Sequence, residues 1–289
     1  MGSSRSVRTP AVAGMFYPED PNVLARTVDA LLAGAAAERP GTIERPRVLV
    51  APHAGYTYSG AVAARAFALL DDSFHTVVLV GPSHVDAFDF TSVYDGDGYE
   101  TPLGVLEVDR AAARRIAANT TTIRISDRGH VAPRHARGEH GLEVMLPFLQ
   151  RVCGSPRIVP VVMGSQDWGA CAELGRALAE TAERERVLIV ASSDLSHFYS
   201  YDDAVRLDTA FCELLATGDA ERLYEGVRAG RCEACGAGPV VASLVAANTW
   251  SDRRCRVLAR INSGDVTGDR TRVVGYASAV VTASSRLPA

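Results

Sequence analysis

Three times in this chain a short, uninterrupted apolar run stops at a polar junction that carries a histidine. Val48-Leu-Val-Ala51 leads into Pro52-His53-Ala-Gly55, and Val77-Val-Leu-Val-Gly-Pro-Ser83 leads into His84. Val187-Leu-Ile-Val-Ala-Ser-Ser193 leads into Asp194-Leu-Ser-His197. Short runs rich in β-branched residues are the pattern of strands buried on both faces, as in parallel sheets covered by helices. Parallel neighbours need helical crossovers, and ligands gather beyond the carboxyl ends of such strands. The pattern therefore restricts the chain to an α/β architecture. It also nominates His53, His84, Asp194 and His197 as neighbours in space.

The segments between these runs read as the crossovers. Asp20-Pro-Asn22 starts a helix with Val23, Leu24, Val28, Leu31 and Leu32 at helical spacing. Helical patterns recur over Ala61–Leu70, Asp109–Ala118, Gly141–Val152, Trp168–Glu183, Asp202–Ala216, Glu221–Ala229 and Cys235–Asn248, and Pro147 should kink the fourth of the eight. Residues 8–18 read as an extended arm on the core, Ala33–Pro46 as a linker, and Asp86–Asp109 as a hairpin-like excursion with a strand at Phe90–Asp95. Ile158–Gly164 is a further strand. Cys255–Ile261 and Val273–Thr282 form an apolar antiparallel pair suited to the edge of a mixed sheet. No repeat or composition break divides the 289 residues. The expectation is one α/β domain over residues 8–283, with a mixed, largely parallel sheet flanked by helices. A flexible leader (1–7) and a flexible tail (284–289) bracket it.

A net charge of −4 gives no electrostatic reason to expect nucleic acid. The short cluster Arg231, Arg253, Arg254 and Arg256 reads as a solvated face. No apolar run approaches the ~18 residues of a membrane helix. Met1–Ser6 lacks the apolar centre of a secretory signal, and its formal match to a myristoylation pattern is equally that of a small polar leader. A cytoplasmic location is expected. The six cysteines read as reduced thiols, and Cys232-Glu-Ala-Cys235 lacks the second half of a zinc ribbon.

A metal site needs lone pairs that converge, and His53 and His84 are the first two candidates. Cys235 is the third: it begins a helix whose N-terminal dipole should favour the thiolate. Helix capping is its structural alternative. Two histidines and one anion leave positions open, as in non-haem Fe(II) enzymes. Asp194, at a strand end, is placed to orient His197 for acid/base work. Glu139, His140 and Glu143 offer more polar groups or, equally, capping and salt-bridge roles. His75 should sit at the far end of the sheet, and His130 and His135 are ambiguous. Ser192, Ser193 and Ser196 surround Asp194 and His197, but no Gly-x-Ser-x-Gly elbow supports a hydrolytic triad.

Pro10-Ala-Val-Ala-Gly-Met-Phe-Tyr-Pro18, Ala51-Pro-His-Ala-Gly-Tyr-Thr-Tyr-Ser-Gly60, Gly81-Pro-Ser-His84 and Thr101-Pro-Leu-Gly104 together resemble the Memo family. So do Glu139-His-Gly-Leu-Glu143, Ser192-Ser-Asp-Leu-Ser-His197 and Cys235-Gly236, in order from about residue 8 to 283. The resemblance implies a fold similar to the class III extradiol (LigB-like) ring-cleaving dioxygenases, which hold Fe(II) by two histidines and a carboxylate. Memo proteins keep the two histidines, here His53 and His84, and place a cysteine third, here Cys235. His197 falls where the dioxygenases carry an acid/base histidine, and Asp194 and His140 match polar residues of the Memo pocket. Gly141 departs from the family's serine. A thiolate in place of a carboxylate argues against ordinary catechol cleavage and admits copper or zinc beside Fe(II).

The resemblance also implies a functional link to radical-SAM and AMMECR-type proteins (the AmmeMemoRadiSam grouping, as its protein B). Three functions follow as expectations. The first is a mononuclear non-haem iron protein with redox or dioxygenase-like chemistry on a small substrate, an oxidoreductase. The second is a non-enzymatic module that binds a peptide or protein beside a vestigial or structural metal. The third is a zinc-type hydrolase with Glu139 or Glu143 as base.

Overall fold

The three histidine-bearing runs lie side by side in one sheet. The computed structural model describes residues 6–37, 45–131, 138–184 and 187–283. Most of the leader (1–5), the tail (284–289) and His135 lie outside the described residues. In chain order the elements are β1 (Val7–Arg8), α1 (Pro21–Ala37), β2 (Pro46–Ala51), α2 (Tyr56–Phe67), β3 (Thr76–Pro82), β4 (Thr91–Val93), β5 (Gly98–Thr101) and β6 (Gly104–Glu107). Next come α3 (Arg110–Ile116), β7 (Ile123–Ile125), a 3-10 turn (Glu143–Met145), α4 (Leu146–Val152), β8 (Arg157–Met163), α5 (Trp168–Arg184) and β9 (Val187–Ser192). The chain continues through β10 (His197–Tyr199), α6 (Tyr201–Ala216), α7 (Ala220–Arg228), α8 (Ala237–Ala247), β11 (Arg254–Asn262), α9 (Ser263–Thr267) and β12 (Val273–Thr282).

The large sheet runs β10-β12-β2-β9-β3-β8-β4-β7, with β11 paired to β12. Its centre, β2-β9-β3-β8, is parallel, while β12 on β2, β11 on β12 and β4 on β8 are antiparallel. The register sets Ala51 opposite Ser192 and Val80 opposite Ala191, so the strands carrying the candidate residues end level with one another. A small second sheet, β1-β5-β6, fastens the N-terminal arm.

Successive strand side chains point to opposite faces, and both faces are buried. Val48, Val50, Val78, Val80, Ile189 and Ala191 pack with residues of α3, α5, α6, α7 and α8. Leu49, Ala51, Val77, Leu79, Leu188 and Val190 pack with α1, α2 and α4 on the other side. Helices thus cover both faces, as the continuous apolar runs require. Each fully buried leucine in these layers contributes about 1.5–3 kcal/mol.

Several local expectations shift. Pro147 does not kink a helix: α4 starts at Leu146, so Pro147 stands in the first turn, where no backbone N–H is needed. Ala33–Ala37 continue α1 rather than opening a linker, since small alanine-rich segments favour helix; residues 38–44 lie outside the described set. Cys235 precedes α8, whose N-cap is Gly236. The connection between β11 and β12 folds into α9, closed by a reciprocal capping box between Asn262 and Asp265. Among the described residues no helix is long and apolar enough to cross a membrane. All six cysteines are free.

Candidate metal site

His53, His84 and His140 each offer a ring nitrogen within 4.8 Å of the others. The rings of His84 and His140 stack at 4.6 Å, and the His53 ring stands edge-on to both, at 4.9 and 5.4 Å. His53 is buried, whereas the His84 side chain keeps 27% of its surface accessible, so the cluster opens to solvent on the His84 side.

Hydrogen bonding decides what the rings present. The Ser192 hydroxyl donates its single proton to the Gly141 carbonyl. It can therefore only accept from His53, 2.7 Å away, so His53 Nδ1 carries the proton and Nε2 the lone pair. His84 Nδ1 lies 2.8 Å from Glu139 Oε1, a carboxylate oxygen that accepts, which again leaves Nε2 with its lone pair. Backing a ring with an acceptor is how proteins fix the tautomer of a metal-binding histidine. Glu139 holds its own place by accepting the backbone N–H groups of His84 (2.6 Å), His140 (2.9 Å) and Gly141 (2.9 Å).

Cys235 reaches the same spot from the other side. Its Sγ is 3.2 Å from His53 Nε2 and accepts the N–H of Asp194 at 3.3 Å. Gly236 makes this approach feasible, because a Cβ there would stand 2.1 Å from the Ser192 carbonyl oxygen. The backbone N–H groups of Asp194 and of Gly236 at the helix start favour the thiolate but are outweighed. Burial, reinforced by the Asp194 carboxylate, pushes Cys235 up to about 12. The proton shared by sulfur and imidazole is the kind a metal displaces when it binds.

Asp194 does not orient His197. Its Oδ1 accepts the His53 backbone N–H at 2.8 Å, and among the described residues no hydrogen bond joins the two side chains. The His197 backbone N–H instead faces Glu233 Oε1 at 3.4 Å. Phe198 interrupts the pairing of β10 with β12 at φ 65°, an uncommon conformation for a bulky residue, and its ring is exposed beside His197.

The electrostatics follow from burial. Desolvation, with the charge of His84 adding to it, pulls His53 down to about 3; desolvation and then His53 pull His140 to about 4. Burial alone would lower His84, but its hydrogen bond to Glu139 and the charges of Glu139 and Asp194 outweigh it and raise the pKa. Glu139 is the reciprocal case: burial would raise it, yet His84 and the backbone donors hold it at about 2. Burial pushes Asp194 up to about 6. Two neutral imidazoles and an ionised carboxylate behind the third are a donor set that fits a divalent cation.

The remaining histidines fall elsewhere. His75 is exposed at the opposite end of β3. His130 is fully buried, with Nδ1 accepting from the Tyr99 hydroxyl at 2.6 Å and Nε2 donating to the Ser92 carbonyl at 3.1 Å. Glu143 is likewise structural: it pairs with Arg8 at 2.7 Å and also accepts from Ala11 N, Val12 N and the Tyr17 hydroxyl. Sequence reasoning considered Ser192 only as a nucleophile and missed it as the partner of His53. The signal was its register opposite Ala51, two residues before His53, which only pairing reveals.

A family model described as "Memo-like protein" matches residues 8–280. A MEMO1 family protein of Methanothermobacter thermautotrophicus is 35% identical over 280 residues, spanning 94% of this chain and 99% of that one. Another, from Methanocaldococcus jannaschii, is 34% identical over 290 residues, spanning 95% and 99%. One from Aeropyrum pernix is 36% identical over 281 residues, spanning 93% and 98%. A crystal structure of an uncharacterized protein from Escherichia coli K12 aligns over 96% of this chain and 100% of that one, with 14% identity and a TM-score of 0.47, too loose a likeness to place any residue.

Proposed function

Since the chain belongs to the Memo-like family, we propose that it binds one metal ion at His53, His84 and a third donor, and that it uses the ion on a small substrate. The observation that carries this reading is the pair of Nε2 lone pairs, fixed by Ser192 and Glu139, beside His140 and the Cys235 sulfur. Cys235 supplies the anionic third ligand, and His140 stands at the open side against the His84 ring. Fe(II) is the proposed ion, with copper and zinc as alternatives that a soft sulfur donor also accepts. Bound there, such an ion supplies a redox-active centre or Lewis acid for oxidative chemistry.

The chain's own residues set the conditions. Ser192 and Glu139 hold two imidazoles in the binding tautomer, and the Glu139 carboxylate makes His84 the more basic of the two. Asp194 fixes the His53 backbone and thereby the direction of its ring. His197, half-buried on the rim, is the residue proposed to give or take a proton from a bound substrate.

A second reading has an observation of its own. Phe198, Tyr199, Tyr58 and Met15 are exposed, and Phe198 is held in a strained conformation beside His197. Exposed large apolar and aromatic side chains of this kind suit capture of a peptide.

Metal analysis after anaerobic purification tests the first reading. The expected result is about one ion per chain, lost in His53→Ala and in Cys235→Ala while both stay folded. Background metal in the native protein, together with peptide capture by that metal-free preparation, would replace it with the second.

A further inference from the structure

Arg8 lies on the N-terminal arm, far in sequence from every candidate ligand, yet it is 5% exposed and its guanidinium is fully engaged. Nε donates to the His130 carbonyl at 2.8 Å, Nη1 to Glu143 Oε2 at 2.7 Å, and Nη2 to the Glu139 carbonyl. The cation also stacks over the Tyr99 ring at 4.7 Å. A planar fork is the one cationic group able to span three such acceptors at once.

The Glu139 contact links this cation to the metal site. The carboxylate of Glu139 holds His84 Nδ1 and three backbone N–H groups, while its carbonyl is held by Arg8. The charges divide in the same way. Glu143 is neutralised by Arg8, which leaves the charge of Glu139 to act on His84. Burying a charge is tolerable only with a hydrogen-bonded partner, so removing Arg8 would leave Glu143 to compete for the nearest donors.

We infer that Arg8 is a positioning residue for the His84 side of the metal site. It couples the seating of the N-terminal arm to the direction of the Glu139 carboxylate and so to the His84 ring. The inference rests on the metal reading above, but part of its test does not need metal.

The test compares full-length Arg8→Met and Arg8→Lys with Tyr99→Phe. The last variant removes the Tyr99–His130 hydrogen bond from the same buried cluster and leaves every Arg8 contact in place. Two readouts are taken on folded protein: Co(II) affinity by titration, and the proton resonance of His84 Nδ1–H, which a carboxylate partner shifts downfield. The expected result is a 10–100-fold loss of Co(II) affinity in Arg8→Met, the range seen when the partner behind a ligand is disturbed. The downfield resonance should be lost or moved in the same variant. Arg8→Lys should regain stability but not affinity, because an ammonium cannot span the three acceptors. If Arg8→Met does not fold, Arg8→Lys carries the comparison. Tyr99→Phe should be less stable yet bind Co(II) as the native protein does.

Native-like affinity and an unmoved resonance in the Arg8 variants would overturn the inference. So would equal losses of affinity in Arg8→Met and Tyr99→Phe, which would make the effect one of general stability. If the native protein binds no Co(II), the metal reading fails instead, and the His84 resonance alone decides the role of Arg8.

Discussion

His84 and His130 belong to two clusters that Arg8 joins, and the difference between them is what each ring nitrogen does. In His130 both nitrogens are spent, one on the Tyr99 hydroxyl and one on the Ser92 carbonyl. Burial then pulls its pKa to about 3 and the ring stays neutral. In His84 only Nδ1 is engaged, by Glu139, and among the described residues Nε2 has no hydrogen-bond partner. The Arg8–Glu143–Tyr99–His130 cluster spends its polar groups on one another and on backbone carbonyls, that of Glu139 included; the His53–His84–His140 cluster brings three ring nitrogens within 4.8 Å of one another. A histidine with both nitrogens satisfied is mortar. One with a backed Nδ1 and an idle Nε2 is a ligand in waiting.

The strongest way to break this contrast is Glu143→Ala. It removes the one carboxylate paired with Arg8 and takes the acceptor from Ala11 N, Val12 N and the Tyr17 hydroxyl, and should cost about 3–5 kcal/mol of stability in urea unfolding. A loss below about 1 kcal/mol would mean the closed cluster is not structural after all. Glu139→Gln acts on the other side. It should leave the fold standing but weaken metal binding by about 10–100-fold, or about 1.4–2.7 kcal/mol, in competition titrations. Unchanged affinity there would deny that Glu139 prepares His84.

His130→Phe should cost about 2 kcal/mol of stability by leaving the buried Tyr99 hydroxyl unpaired, with metal affinity unaltered. Coupled loss of metal would erase the distinction between the two clusters. Ser192→Ala is the smallest effect. It removes a neutral hydrogen bond behind His53, worth about half a charge-assisted one, so affinity should fall by about five-fold. A loss as large as that of Glu139→Gln would show that neutral and charged supports count equally.

Particular residues show why some of this was legible in the sequence and some was not. The α/β architecture, the central strands and the edge pair β11-β12 follow from apolar runs that only a covered sheet can bury. His53 and His84 were legible with them, because a junction after a buried strand has one place to go. His140 and His130 share a polar loop in the sequence and nothing local separates them. Their fates differ because one ring packs on His84 and the other between β4 and β5 neighbours. Asp194 and His197 looked paired because they are close in sequence. The carboxylate turned instead to the His53 backbone, which adjacent parallel strands bring nearer than the chain itself does.

The sequence by itself therefore determined the sheet, the end of it that holds the candidate site, and the nomination of His53, His84 and Cys235, since buried strand pattern and junction chemistry are local properties. Only the tertiary structure decided which histidine packs on His53 and His84, that Ser192 and Glu139 set their tautomers, and that Arg8 anchors Glu139. Hydrogen bonds of that kind join atoms far apart in sequence, and their direction depends on register, burial and the single proton each donor has to give.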